Sequence, residues 1–293
     1  MEKIAFIGAG IMGKSMIRNL RKAGYEVLVY ARNRAKVVDL ETEGIPVFDS
    51  IRDCVKQAEA VITIVGYPAD VEEVYFGENG ILQNVKAGTY VIDMTTSSPK
   101  LAEEIHEKAK EYGVKAVDAP VTGGDTGARE GTLSILVGGE KADYEACYPM
   151  FQAMGQNINY QGPAGMGQHT KMVNQIMIAG TISGVCEALS YAVAKGLDLP
   201  TVLKSVSSGA AGSKQLETVA PRILKGDFMP GFFIKHFIKD MALAAAEAKD
   251  SGLELSVLEL VLAHYRQLAE AGKGDLGTQA LFEFYHQSSK SQD

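Results

Sequence analysis

The chain has 293 residues, 46% hydrophobic and 22% charged, which is long enough to predict two domains, each with its own core. A net charge of −7 excludes a nonspecific nucleic-acid binder, which needs a basic face. Cys54, Cys147 and Cys186 lack metal-type spacing and read as buried thiols in a reducing compartment.

Ile4–Ile7 reads as a buried strand that follows the N-terminus almost at once, leaving no visible signal peptide. Met12–Ala23 reads as a helix closed by Gly24. Between them lies Gly8-Ala9-Gly10-Ile11-Met12-Gly13, a dinucleotide fingerprint in the strand–turn–helix context that gives it meaning. Gly8 serves the tight turn, Gly10 the approach of a pyrophosphate and Gly13 the packing of helix on strand. The free N–H groups of the helix N-terminus then face the phosphates.

Val27–Tyr30 is a second strand, and Val47 ends a short third. After Tyr30 an NAD site usually carries an acid for the ribose hydroxyls. Here the sequence is Ala31-Arg32-Asn33-Arg34, and a guanidinium suits a 2′-phosphate. NADP is therefore expected over NAD, with Arg32 and Asn33 at the cofactor; the alternative is that Arg32 and Arg34 are solvated. Ala60–Val65 is the next strand, and Val65-Gly66-Tyr67 should line the dinucleotide. Tyr90–Asp93 follows, then a helix opening near Ser98-Pro99. Thr96, between them, suits either a nicotinamide ribose or a helix cap. Lys115–Val117 and Ser134–Val137 complete the strands. Strands alternating with helices predict an α/β Rossmann domain, a doubly wound parallel sheet covered on both faces.

The segment from Asp118 to Gly127 is too rich in glycine for a packed element. Thr122, Gly123 and Gly124 can turn a hydroxyl and two unhindered N–H groups toward a substrate carboxylate, or can form a plain surface loop. Asp118 and Asp125 find no third partner for a metal, so none is expected.

After Gly162-Pro163 the pattern becomes all-helical, which divides the chain into a cofactor domain at 1–163 and a helical domain at 164–293. From about Gly167 to Lys195 no proline intervenes, predicting one interdomain helix of roughly 28 residues and about 42 Å. It is apolar on most faces and is expected to be buried, and no apolar run is long enough for a membrane span. Lys171 stands in its first turns, with Asn174 and Gln175 one turn on along the same face. A lysine so placed is either solvated or, if buried, a proton donor; His169 points elsewhere and reads as structural. Further helices are expected near Pro200–Ser207, Ser213–Leu224, Ile234–Ser251, Glu254–Ala271 and Thr278–His286, with a frayed tail at Ser288–Asp293. Lys235 and Lys239 share a helix face that reaches an anion or forms an exposed basic stripe. The whole reads as a soluble cytoplasmic protein.

With these residues in view, the chain resembles the 3-hydroxyisobutyrate dehydrogenase family of β-hydroxyacid dehydrogenases over nearly its whole length. The resemblance rests on Phe6-Ile-Gly-Ala-Gly-Ile-Met-Gly13, Asp118-Ala-Pro-Val-Thr-Gly-Gly124, Gly165-Met-Gly-Gln-His-Thr-Lys-Met-Val-Asn174 and Lys239-Asp-Met-Ala-Leu-Ala244. It implies a helical domain that also forms a homodimer or homotetramer. It implies Lys171 as general acid/base with Asn174 or Gln175 beside it, Thr122–Gly124 holding the carboxylate of a small substrate, and Thr96 and Lys239 touching the cofactor. Where the family usually has serine this chain has Thr122, whose extra methyl narrows the pocket. Gln175 replaces a frequent asparagine, as in many semialdehyde reductases of the family, and with Arg32 this favours a tartronate or succinic semialdehyde type of reductase. The rivals are an NAD-dependent 3-hydroxyisobutyrate-type dehydrogenase, an imine reductase, which typically lacks the lysine, 6-phosphogluconate dehydrogenase, which is longer and has a histidine where Asn174 stands, and a non-catalytic NADP-binding module.

Overall fold

The computed structural model describes residues 1–288, so the tail predicted after Ser288 lies outside the described residues. The chain forms two compact units, one over Met1–Lys171 and one from Met172 onward.

The first unit is built on nine strands: β1 Lys3–Ile7, β2 Glu26–Tyr30, β3 Val47–Phe48, β4 Ala60–Thr63, β5 Tyr90–Asp93, β6 Lys115–Asp118, β7 Val121–Thr122, β8 Leu133–Gly139 and β9 Gly155–Gly162. Its helices are α1 Ile11–Lys22, α2 Val38–Thr42, α3 Ile51–Val55, α4 Pro68–Phe76, α5 Ile81–Asn84, α6 Pro99–Glu111, α7 Gly124–Glu130 and α8 Lys141–Met154. The sheet runs β3-β2-β1-β4-β5-β6-β8-β7, with β9 on β8. From β3 to β6 all pairs are parallel, in the doubly wound order that reverses between β1 and β4. The far edge departs from the expected all-parallel sheet, because β8 runs antiparallel to β6 and β7. Ala119-Pro120 joins β6 directly to β7, and α7 lies between β7 and its antiparallel partner β8. Nor is 118–127 the open loop that its glycines predict: Val121–Thr122 pairs as β7, and Gly124 begins α7.

Alternation along the strands builds two cores. Ile4, Phe6, Val27, Val29 and Ile62 pack with Met16, Ile17 and Leu20 of α1 and Phe151 of α8. Ala5, Ile7, Leu28, Val61 and Val91 join Cys54, Val71, Tyr75 and Ile105 on the other face. Burial on both faces is what a parallel sheet requires. The three cysteines are free and buried, and burial pushes each thiol up to about 12.

A single helix, α9 Met166–Ala194, starts in the first unit and continues into the second. The second unit adds α10 Leu199–Val206, α11 Lys214–Leu224, α12 Ile234–Asp250, α13 Ser256–Leu268 and α14 Leu281–Ser288. Ala179, Ile182, Cys186 and Leu189 of α9 pack there with Phe237, Met241, Leu262 and Tyr265. The expectation of burial all round α9 needs correction: Val173, Met177 and Tyr191 are exposed, Met177 to 66%. By length and composition alone α9 is also apolar enough to cross a membrane, contrary to the sequence reading, although the core helix of a soluble protein passes the same test.

Gly13 is where the first βαβ turn tolerates least. A Cβ there would strike the carbonyl oxygen of Gly8 and stand 3.1 Å from the Phe6 ring. Gly13→Ala should cost about 1–3 kcal/mol of stability, read as a lowered midpoint in denaturant unfolding at unchanged m-value.

Candidate active site

The fingerprint closes around β1. Gly8 has φ +103°, and a Cβ on it would collide with the carbonyl of Ile64 at the end of β4. Gly10 is exposed and precedes α1, whose first turn carries no acid and no side-chain cap. Nothing lies within 4 Å of where its Cβ would stand. The open space and the uncapped N–H groups of Ile11, Met12 and Gly13 form a cradle that fits a pyrophosphate; Ala9 is buried against the core beneath it. The residues present therefore fit a dinucleotide.

The other sheet ends carry a buried polar network. Asp93 Oδ1 accepts from Thr63 Oγ1 at 2.8 Å and from the Thr95 N–H at 3.1 Å. Thr95 Oγ1 in turn accepts the Val65 N–H at 3.0 Å. Burial holds the Asp93 carboxyl up at about 6, against the pull of its Thr95 and Thr63 bonds. Gly66 is half-buried and Tyr67 exposed at the start of α4. The cap of α6 is Ser98, which accepts the Leu101 N–H, so capping falls to Ser98 and not to the half-buried Thr96.

Asp118, at the end of β6, is the residue whose role the sequence reading missed. Its Oδ1 accepts the Gly165 N–H and its Oδ2 the Gln168 N–H, both at 2.8 Å. These are orphan donors at the start of α9. No Ser, Thr, Asp or Asn stands in Gly162-Pro163-Ala164-Gly165 to cap them, which is the signal that an outside acceptor is needed. Gly138 makes room: a Cβ there would lie 2.5 Å from Asp118 Oδ1 and 2.7 Å from the Gly167 nitrogen. Gln168 fastens the same turn from its other side. Its Nε2 donates to the Thr95 carbonyl at 2.7 Å and its Oε1 accepts the Ser97 N–H at 3.0 Å.

One turn on, Lys171 is 6% exposed and its Nζ donates to the Val121 carbonyl at 2.8 Å. The ammonium thus sits beside the Thr122–Gly124 turn that leads from β7 into α7. Thr122 is half-buried, while Gly123 and Gly124 are exposed at φ +133° and +66°, a region that favours glycine. Asp125 occupies the first turn of α7, where the helix N-terminus favours an acid. Among the described residues no group of three or more His, Cys, Asp or Glu side chains is arranged to hold a metal.

In the second unit, Asn174 Nδ2 donates to Gln175 Oε1 at 2.6 Å, and Gln175 Nε2 donates to Asp240 Oδ2 at 2.6 Å. Asp240 is buried and pairs through Oδ1 with Lys239 at 2.8 Å. Lys235 pairs with Asp275, so neither lysine belongs to a bare basic stripe. At the end of β2, Arg32 and Asn33 are exposed; Asn33 caps the turn that follows by accepting the Ala35 N–H.

The pattern described as the NAD-binding domain of 6-phosphogluconate dehydrogenase matches residues 3–162. That of the NAD-binding region of NADP-dependent 3-hydroxyisobutyrate dehydrogenase matches 165–285. An uncharacterized oxidoreductase of Bacillus subtilis is 53% identical, over 97% of this chain and 99% of its own. The 2-hydroxy-3-oxopropionate reductase of Escherichia coli is 39% identical, over 86% of each chain. The structure of Mycobacterium tuberculosis 3-hydroxyisobutyrate dehydrogenase with L-serine is 29% identical, with a TM-score of 0.87 over 97% of this chain and 98% of that one.

Two predictions follow from this geometry. Asp118→Ala leaves two buried N–H groups without their acceptor and should cost about 1–3 kcal/mol, measured by chemical denaturation. Asp93 titrates higher folded than unfolded, so its contribution to stability falls as pH rises from about 4 to about 6 and is level above that. Asp93→Asn keeps an acceptor oxygen for Thr63 and Thr95; unfolding midpoints across this window should then decline less than in the wild type.

Proposed function

The chain belongs to the 3-hydroxyisobutyrate dehydrogenase family, and on that premise we propose that it is an NADP-dependent oxidoreductase. It interconverts a small 3-hydroxy or 2-hydroxy acid with the corresponding semialdehyde or oxo acid. The observation that carries this reading is the placement of the buried Lys171 ammonium, 2.8 Å from the Val121 carbonyl and next to the Thr122–Gly124 loop. A proton donor and a set of carboxylate-binding donors then address two ends of one small molecule.

Gly8, Gly10 and Gly13 hold the pyrophosphate, Val65, Gly66, Tyr67 and Thr96 line the dinucleotide, and Arg32 meets the adenosine 2′-phosphate. The bound nicotinamide supplies or accepts the hydride. Thr122 Oγ1 and the N–H groups of Gly123 and Gly124 fix the substrate carboxylate, which orients the reacting carbon. Lys171 gives a proton to the carbonyl oxygen as negative charge grows there, and takes it back in the oxidative direction. Asn174, a turn further along α9, is the second polar residue of the proposed catalytic set, and its amide donates to Gln175, which in turn donates to Asp240. The reductase of 2-hydroxy-3-oxopropionate among the relatives and the L-serine in a related structure support a carboxylated C3 substrate class. The exposed apolar side chains Val173, Met177 and Tyr191 of α9 support self-association, as dimer or tetramer, through the helical unit.

Lys171→Ala should lower kcat by about a hundredfold to ten-thousandfold while NADPH affinity stays nearly intact. Steady-state rates of both cofactors against glyoxylate, succinic, tartronate and methylmalonate semialdehydes test the rest. Near-normal turnover in the variant removes the acid/base role, and a higher kcat/KM with NADH removes the NADP preference.

A further inference from the structure

Three polar side chains follow β2, and two are already committed. Asn33 Oδ1 accepts the Ala35 N–H at 3.1 Å. Arg34 is ion-paired with Glu41 at 2.6 Å and with Asp49 at 2.7 Å. Arg32 differs: its side chain is 76% exposed, and its Nη1 meets Asp70 Oδ1 at 3.2 Å.

Asp70 is no mobile surface acid. It lies in the first turn of α4, only 20% exposed, and its Oδ2 accepts the Tyr67 N–H at 3.0 Å as part of a capping box. The helix N-terminus stabilises its negative charge. An acid is missing from the end of β2, where an NAD site usually has one, but the fold brings one to Arg32 from 38 residues away.

A carboxylate fixed there acts against a 2′-phosphate twice, by competing for the guanidinium and by repelling the dianion. For a cofactor without that phosphate neither effect applies, and the same carboxylate can accept a ribose hydroxyl. We infer that Asp70 is a specificity-determining residue: paired with Arg32, it lets the site take both cofactor forms and holds the preference for the phosphorylated one down. The inference rests on the dinucleotide reading proposed above.

The test is calorimetric binding of 2′,5′-ADP and 5′-AMP, which differ only in the 2′-phosphate, to the full chain. Wild type, Asp70→Asn and Arg32→Ala are compared. Asparagine keeps an acceptor for the Tyr67 N–H, so it removes the charge alone. Asp70→Asn should bind 2′,5′-ADP several-fold tighter, the direction expected when a like charge is removed from beside a dianion. That gain should shrink at high salt, and 5′-AMP should bind no tighter. Arg32→Ala should bind 2′,5′-ADP about tenfold more weakly, the loss of one charge-assisted contact. Unchanged 2′,5′-ADP affinity in Asp70→Asn, with the Arg32→Ala loss intact, overturns the role of Asp70 and leaves the dinucleotide site standing. No loss in Arg32→Ala means that the 2′-phosphate is not read here, and the inference falls with it. If neither nucleotide binds the wild type, the dinucleotide reading itself fails.

Discussion

The carboxylate of Asp118 is the constraint on which the candidate site depends. A helix of 29 residues begins at Met166 with no capping side chain of its own, and its first N–H groups are satisfied from the end of β6. One residue thereby joins the end of β6 to the start of α9. Because the rise of a helix is fixed at 1.5 Å per residue, anchoring Gly165 and Gln168 also fixes where Lys171 emerges. The glycines at 138 and 167 are explained by the same demand, since either side chain would occupy the space of the carboxylate or of the helix start. Burial raises the Asp118 carboxyl above its usual range, and the N–H bonds of Gly165 and Gln168 oppose that rise. A charge-assisted cap of this kind is stronger than the neutral cap a serine would give.

Much of the fold was legible because parallel strands buried on both faces have a plain signature. Ile4–Ile7, Ala60–Thr63 and Tyr90–Asp93 are short apolar runs between helices, and little else reads that way. The helical half was legible for a related reason, an uninterrupted run without strand pattern and a helix start at Ser213, which caps α11. The mixed edge was not. β7 is two residues long, too short to show a period, and β9 offers only Ile158 and Tyr160 as apolar positions in its Asn157–Gln161 alternation, a weak signal that the expected strands omit. Their pairing is decided by β8, which lies between them.

In the candidate site, the residues that the sequence singles out are those whose type is itself chemical: the glycines of the fingerprint, Lys171 and Thr122. The unreadable ones act through other residues. Asp118, Gln168 and Asp240 contact groups 50, 73 and 65 positions away, and no local spacing encodes such distances. The mistaken expectation for α9 has a similar origin. Apolar content shows that a helix avoids water on average, but not which of its faces the packed unit covers, and Met177 falls on one that it leaves open.

One partner of Lys171 is a backbone carbonyl, and this bears on how such a site diverges. The Val121 oxygen is supplied by whatever residue stands there, so no substitution at that position deletes it. The neighbouring position 122 can exchange serine for threonine, and pocket width with it, while the ammonium keeps its resting place. On the reading proposed above, a site built in this way drifts in substrate choice by single steps while Lys171 stays in place.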